Sequence, residues 1–509
     1  MEKLWKPDLG NGKYMNPVVN ADYSDPDLIR VDDTYYMTAS SFNYTPGLPI
    51  LTSKDMVNWI LVNYATGNVP YINYDTPQHA KGVWAPAIRY HEGEFYIYYG
   101  MPDEGIFMVK TKNPLGKWDE PVLVLEGKGL IDSCPFWDED GKAYVVHGYA
   151  RSRIGFKSFL GIFEMSWDGT KAISEDHLIY NGLETNPTIE GPKVYKRNGY
   201  YYIFAPAGGV KTGWQTVLRS KDIHGPFEEK VVMRQGDSPI NGPHQGGLVS
   251  DVDGNEWFVH FQDAGYMGRV CHLQHVTWKN DWPIIGEKEK DGCGQPSLTH
   301  IKPACHVAVE PTSLEASDDF KSDKLDLMWQ WTGNNRDDFY ELSDEGLKLY
   351  SLSLLGEANT PIWYSSNVLT QKLVTPKFKA TVELDVTHLG DGDQAGFTMF
   401  GGSYCYVADR VIGNLHTLIY VESQENNGEV TETVTTIRQL SEEEKVLSIE
   451  FTFTDKFAAK VNGVEVDTSF MPSDHQWVGA KLGLFSTSVK EESKDGYGLF
   501  KFIHVERID

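Results

Sequence analysis

Three acidic residues, Asp25, Asp132 and Glu190, each stand nine residues before a turn residue that launches an aromatic or aliphatic strand: Thr34, Gly141 and Gly199 respectively. Two further copies of the pattern carry other side chains at the anchor, Trp84 before Gly93, and Gln245, next to His244, before Gly254. Carboxylates gathered in one place suit hydrolysis of a glycosidic bond, which needs one carboxylic acid to protonate the leaving oxygen and one carboxylate opposite it. When the second carboxylate activates water the product is inverted. A third acid nearby raises the pKa of the proton donor by like-charge repulsion and keeps it protonated near neutral pH. Taken singly, Asp25 in SDPD and Asp132 in LIDSCP read as turn or capping residues that bond their own backbone. Three in one register point to function.

The elements that must position these acids are strands. Successive anchors are 48 to 59 residues apart, the size of a propeller blade and not of a helical solenoid repeat. In a propeller the innermost strand of every blade lines a central channel, so equivalent positions distant in sequence converge on one axis. Five blades, residues 1–286, are the economical reading, with turn signals such as Asp-Gly, Asn-Gly and Glu-Gly between the strands. Residues 287–312 mix charge, Gly and Pro without sustained alternation and read as a connector packed over the first domain. From 313 to 509 a new register begins, in which FKATVELDVTH, LHTLIYVES and LSIEFTFTDKFAAKVNG alternate at period two between turns. That is the pattern of an antiparallel sandwich, and the chain as a whole is expected to be all-β.

At 509 residues the chain is too long for one ordinary core. A net charge of −26 and a pI near 5.0 argue against nucleic acid and an anionic membrane face as partners and favour a neutral ligand. Fourteen Trp and 27 Tyr supply flat apolar faces for stacking on rings, although β-rich cores produce the same excess. Cys134, Cys271, Cys293, Cys305 and Cys405 are scattered without metal-like pairing and read as reduced thiols. The opening MEKLWKPDLGNGKYMNP lacks the apolar core of a secretory signal, and no stretch approaches transmembrane length. A cytoplasmic protein is expected, unless a leader has been removed.

SDPDLIRV, YYMTASSFNYTPGLPILTSKDMVNW, VWAPAIRY, LIDSCPFWDEDGKAYVVHG and IEGPKVYKRNGYYYIF, in this order, resemble glycoside hydrolase family 43, five-bladed inverting enzymes that act on pentose polymers. SDDFKSDKLDLMWQW and the terminal FKFIHVERI resemble the concanavalin-like β-sandwich of its xylosidase and arabinofuranosidase branches, so the resemblance spans nearly the whole chain. It implies Asp25 as general base, Asp132 as the residue that modulates pKa and positions substrate, and Glu190 as general acid. His244 in GPHQGG corresponds to a channel histidine that contacts a calcium ion or a water cluster in many members, and calcium is the one ion to expect. Arg269 in GYMGRV resembles the arginine that holds sugar hydroxyls, a task suited to its fork of donors. Phe42 and Trp84 look like the aromatic wall of the terminal sugar subsite, and Trp214 in GGVKTGWQT is a candidate for its rim. Plainer roles remain open at this point: core packing for the aromatics, a satisfied inner-strand histidine, a surface ion pair for Arg269.

These readings converge on an exo-acting glycosidase that takes a terminal α-L-arabinofuranosyl or β-D-xylosyl unit from hemicellulose oligosaccharides, with an oligomer left open. An endo-arabinanase would need an open cleft. A pure carbohydrate-binding protein or a structural propeller would leave the acid register unexplained. No P-loop or dinucleotide fingerprint stands in the right context, so no organic cofactor is expected.

Overall fold

The computed structural model describes residues 3–353, 360–426, 428–490 and 495–508. Each propeller blade is a four-stranded antiparallel meander running from the axis outward; the first comprises Asp27–Val31, Thr34–Thr38, Gly47–Ser53 and Ile60–Thr66. The inner strands of the others are Trp84–His91, Leu130–Trp137, Lys193–Arg197 and His244–Ser250. All four strands of the first and the last blade come from consecutive sequence, so no strand is exchanged to close the ring. The seam between blades 5 and 1 is instead stitched by the Val19–Cys271 bridge and by Tyr23, whose amide donates to the Arg269 carbonyl at 3.0 Å.

Every inner strand begins with one residue in the left-handed region, Asp25 (φ 56°), Ala85 (42°), Asp132 (60°), Gly191 (60°) and Gln245 (27°). In blades 2, 3 and 5 the pairing register also slips there, between Trp84 and Ala87, Ile131 and Cys134, and His244 and Gly246. This kink corrects the nine-residue alignment. Asp25 and Asp132 sit on the kink, whereas Trp84, Glu190 and His244 stand one residue before it. Hairpin length and the counting point account for the difference: two-residue turns join Val31 to Thr34, His91 to Glu94 and Arg197 to Tyr200, with Thr34 already in its strand where Gly93 and Gly199 are still in the turn, and longer loops join Trp137 to Ala143 and Ser250 to Glu256. Asp tolerates the left-handed region better than most residues because its short side chain bonds locally.

The second domain packs two seven-stranded antiparallel sheets face to face. Phe378–Asp385, the FKATVELD run, buries Phe378, Ala380, Val382 and Leu384 and turns the intervening residues outward, as its alternation requires. Phe397 and Phe451 stack at 4.4 Å between the sheets. The connector carries three short strands, Glu287–Lys290, Cys293–Gln295 and Thr299–Ile301. Cys293–Gln295 joins the outer strand of blade 4 in parallel through Met233 and Gly294, and Thr299–Ile301 pairs with Lys13–Met15. Runs this short are below the length at which alternation shows.

The two domains share one apolar cluster, in which Tyr23, Met267 and Val270 meet Trp329, Trp331 and Leu369. Thr45 and Trp331 exchange backbone hydrogen bonds of 3.1 and 2.7 Å across the boundary. All five cysteines are free thiols.

Close packing at the axis makes a testable demand on blade 5. A Cβ on Gly246 would lie 1.7 Å from the Val259 carbonyl oxygen, while one on Gly67 would meet nothing within 4 Å. Gly246→Ala is therefore expected to lose about 1–3 kcal/mol through forced backbone shifts, read as a lowered midpoint in thermal or urea unfolding, with Gly67→Ala as the near-neutral control. Equal midpoints for the two variants would contradict the packing described.

Candidate active site

Asp25 is buried where blade 1 meets blade 5. Its Oδ2 accepts from Ser24 Oγ at 2.8 Å and from Ser40 Oγ at 2.6 Å, and its Oδ1 accepts from Arg269 Nη1 at 3.1 Å. Ser40 Oγ in turn accepts the Ala85 amide at 2.7 Å, which ties the blade 2 kink to the same carboxylate. Charge-assisted bonds of this kind are roughly twice as strong as neutral ones and hold the group in one orientation. Arg269 is buried against Asp25, with its guanidinium 4.5 Å above the Phe261 ring, and is not a surface ion pair.

Asp132 and Glu190 meet across the boundary of blades 3 and 4. The Gly191 amide, next in chain to Glu190, donates to Asp132 Oδ2 at 2.8 Å, and the space above Gly148 touches both Asp132 Oδ2 and the Glu190 Cα. Burial, then the negative charges of Glu190 and Asp25, push the Asp132 carboxyl up to about 8, against the pull of the Gly191 amide and Lys193. Burial also acts to raise Glu190, but His244, Arg269 and Lys157 outweigh it and hold Glu190 below the usual carboxylate range. Like-charge repulsion thus favours one retained proton on the pair, of which Asp132 is the more basic member. Access differs as well. Glu190 exposes 32% of its side chain while that of Asp25 exposes 8%.

His244 Nε2 lies 3.3 Å from Glu190 Oε1, and neither ring nitrogen has a well-directed hydrogen-bond partner in the protein. Calcium takes six to eight oxygen ligands, and among the described residues no group of three or more His, Cys, Asp or Glu is placed to hold a metal ion. A calcium ion at His244 would have to complete its shell from backbone carbonyls and water, and no step below is routed through it.

Phe42 and Trp84 form one aromatic corner, their rings 6.4 Å apart and edge-on. A third ring completes it. Trp477, from a sandwich loop, lies 4.9 Å from Trp84 and 6.4 Å from Phe42. Nothing in the propeller repeat indicates Trp477; its one signal is a Trp two residues before Gly in the turn-like stretch SDHQWVG, outside any alternating run. Trp214, half-buried, has its polar contacts beside blade 4. Its Nε1 donates to Asn186 Oδ1 at 3.2 Å and Thr216 Oγ1 at 3.1 Å, and Arg234 covers its ring at 4.9 Å, contacts that place it within blade 4. A separate cavity of about 820 Å³ between the domains, lined by Tyr23, Tyr64 and Lys372 among others, contains none of the three acids.

Residues 14–283 match the family model described as Glycosyl hydrolases family 43, and residues 317–506 match that of the Beta xylosidase C-terminal Concanavalin A-like domain. A putative beta-xylosidase of Xylanibacter ruminicola is 41% identical over 404 residues, 79% of this chain and 73% of the relative. A beta-xylosidase of Formosa agariphila is 33% identical across 96% of this chain and 89% of its own. A non-reducing end alpha-L-arabinofuranosidase of Bacteroides ovatus is 33% identical across 70% and 68%. The crystal structure of xylan beta-1,4-xylosidase from Bacillus halodurans has the same fold, with a TM-score of 0.83 at 21% identity over 97% of this chain and 100% of that one.

The proton on Asp132 has a consequence for stability. Its carboxyl sits near 8 when folded against an ordinary value of 3.8, so as pH rises the unfolded chain gives up this proton first and folding loses free energy across that window. Asp132→Asn has no such titration. Its melting temperature, relative to wild type, should climb between about pH 4 and pH 8 and then level off. A difference that stays flat, or falls, would show that Asp132 is ionised in the folded protein.

Proposed function

Given that the chain belongs to glycosyl hydrolase family 43, we propose that it is an inverting exo-glycosidase that releases a terminal β-D-xylosyl or α-L-arabinofuranosyl unit from hemicellulose oligosaccharides. The observation that carries this reading is the division of environments among three neighbouring acids. Asp25 is surrounded by donors, Asp132 is pushed toward its protonated form by burial and by like charge, and Glu190 alone of the three is substantially exposed.

In this reading Asp25 accepts a proton from the attacking water. The serines and Arg269 fix which oxygen faces that water, so little reorganisation accompanies the reaction. Glu190 delivers the proton of the Asp132–Glu190 pair to the leaving oxygen, and Asp132 keeps the pair from ionising fully below about pH 8. Phe42, Trp84 and Trp477 supply apolar faces for the terminal sugar ring. Trp477 also favours a pocket over a cleft, because it brings the second domain against the corner where an endo-acting enzyme would need to pass polymer through. The named activities of the Xylanibacter, Formosa and Bacteroides relatives support both sugars as substrates.

Leaving-group dependence separates the roles. Glu190→Gln should lose most activity on an arabinoxylo-oligosaccharide and much less on a dinitrophenyl glycoside, whose leaving group needs little protonation. Asp25→Asn should depress both alike, by on the order of 10²–10⁴-fold. Proton NMR of the first sugar released should show inverted configuration. Equal losses for Glu190→Gln on both substrates would reassign the acid, and retention of configuration would make Asp25 a nucleophile.

A further inference from the structure

We propose that Asp22, three residues before the base, is a positioning residue that latches the sandwich domain onto the sugar pocket. The two oxygens of its buried carboxylate hold two different parts of the site. Oδ1 accepts the Arg269 amide at 2.9 Å, and Oδ2 accepts the Gly479 amide at 2.9 Å, with Lys481 Nζ at 3.7 Å. One group thereby fixes the residue that engages Asp25 and the loop that carries Trp477.

The segments meet too closely for side chains. A Cβ on Gly268 would lie 2.4 Å from Asp22 Cγ, and one on Gly479 would lie 2.6 Å from the Gly268 amide nitrogen. The Ala480 amide donates to the Tyr266 carbonyl at 2.8 Å, so the loop is held on both sides of the contact. Two residues before Gly479, Trp477 sits at φ 76° in a turn closed by reciprocal bonds between His475 and Val478. Lys481 and Lys372 face each other on neighbouring sandwich strands, and the Asp22 charge opposes the burial that holds both below their usual values. An amide at position 22 would keep the shape but turn two donors on one of the backbone N–H groups, since only a carboxylate accepts on both sides.

Asp22 touches neither water nor sugar in this scheme; it acts through Arg269 and Trp477, and the inference rests on the terminal sugar binding between Trp477 and the acids. The test compares wild type, Asp22→Asn, Trp477→Ala and the double variant on nitrophenyl xyloside and arabinofuranoside. Asp22→Asn is expected to raise KM and lower kcat/KM by roughly 10- to 100-fold, the scale of a 1 Å misplacement, and to cost far less once Trp477 is already Ala. A folded Asp22→Asn with kcat/KM within twofold of wild type, or the same loss in both backgrounds, overturns the proposal. Gly479→Ala, which pushes the loop from the propeller and stretches its bond to an unsubstituted Asp22, should also raise KM; an unchanged KM counts against the latch, even if Asp22→Asn fails to fold. Hydrogen exchange needs no turnover. In Asp22→Asn, peptides covering Arg269 and Gly479 should both exchange faster, and unchanged exchange would sink the latch even where the glycosidase reading stands. Should wild type cleave neither glycoside, exchange alone decides the latch.

Discussion

Carboxylates buried within reach of one another repel, and most of what surrounds the axis of this propeller answers that repulsion. Asp25 is met by Arg269 and two serines, Glu190 by His244, and Asp132 by the Gly191 amide and a retained proton. Ser24 and Ser40 come from the blade of Asp25 itself, but the cationic partners Arg269 and His244 come from blade 5 and the Gly191 amide from blade 4. Like charge is thus fully compensated only when the ring is closed, because each acid draws at least one partner from another blade.

The left-handed kink at the head of each inner strand is the local device that makes this possible. It bends the chain just before the ladder begins, so that the residue at the kink or the one preceding it turns toward the channel. A nonglycine residue in this region carries strain, and such strain persists where surrounding contacts over-determine the backbone. Ser40 does so between blades 1 and 2, bonding the kinked Asp25 on one side and the kinked Ala85 on the other.

The blades and the sandwich were legible because their strands are long, regularly punctuated and, in the sandwich, strictly alternating, as FKATVELD demonstrates. The acids were legible because nothing structural asks for Asp, Asp and Glu at the heads of the inner strands of blades 1, 3 and 4. The offset of Glu190 from the kink was not, since residue counting assumes equal hairpins and one counting point, whereas blades 3 and 5 have longer loops and Thr34 lies already in its strand. Trp477 and Asp22 were hidden for another reason. Their significance lies in contacts between domains more than 200 residues apart, and a repeat within one domain carries no trace of them.

The ring closes without an exchanged strand, and its seam falls between the blade that holds Asp25 and the blade that holds Arg269. A gap opening there would part the base from its guanidinium before any blade lost its own sheet. The sandwich sits over that same joint through Tyr266, Gly268 and Gly479. In the terms of an engineer, it is a hoop around a barrel of staves: its grip decides how far the staves can spring, and an enzyme built this way should fall silent while still almost wholly folded.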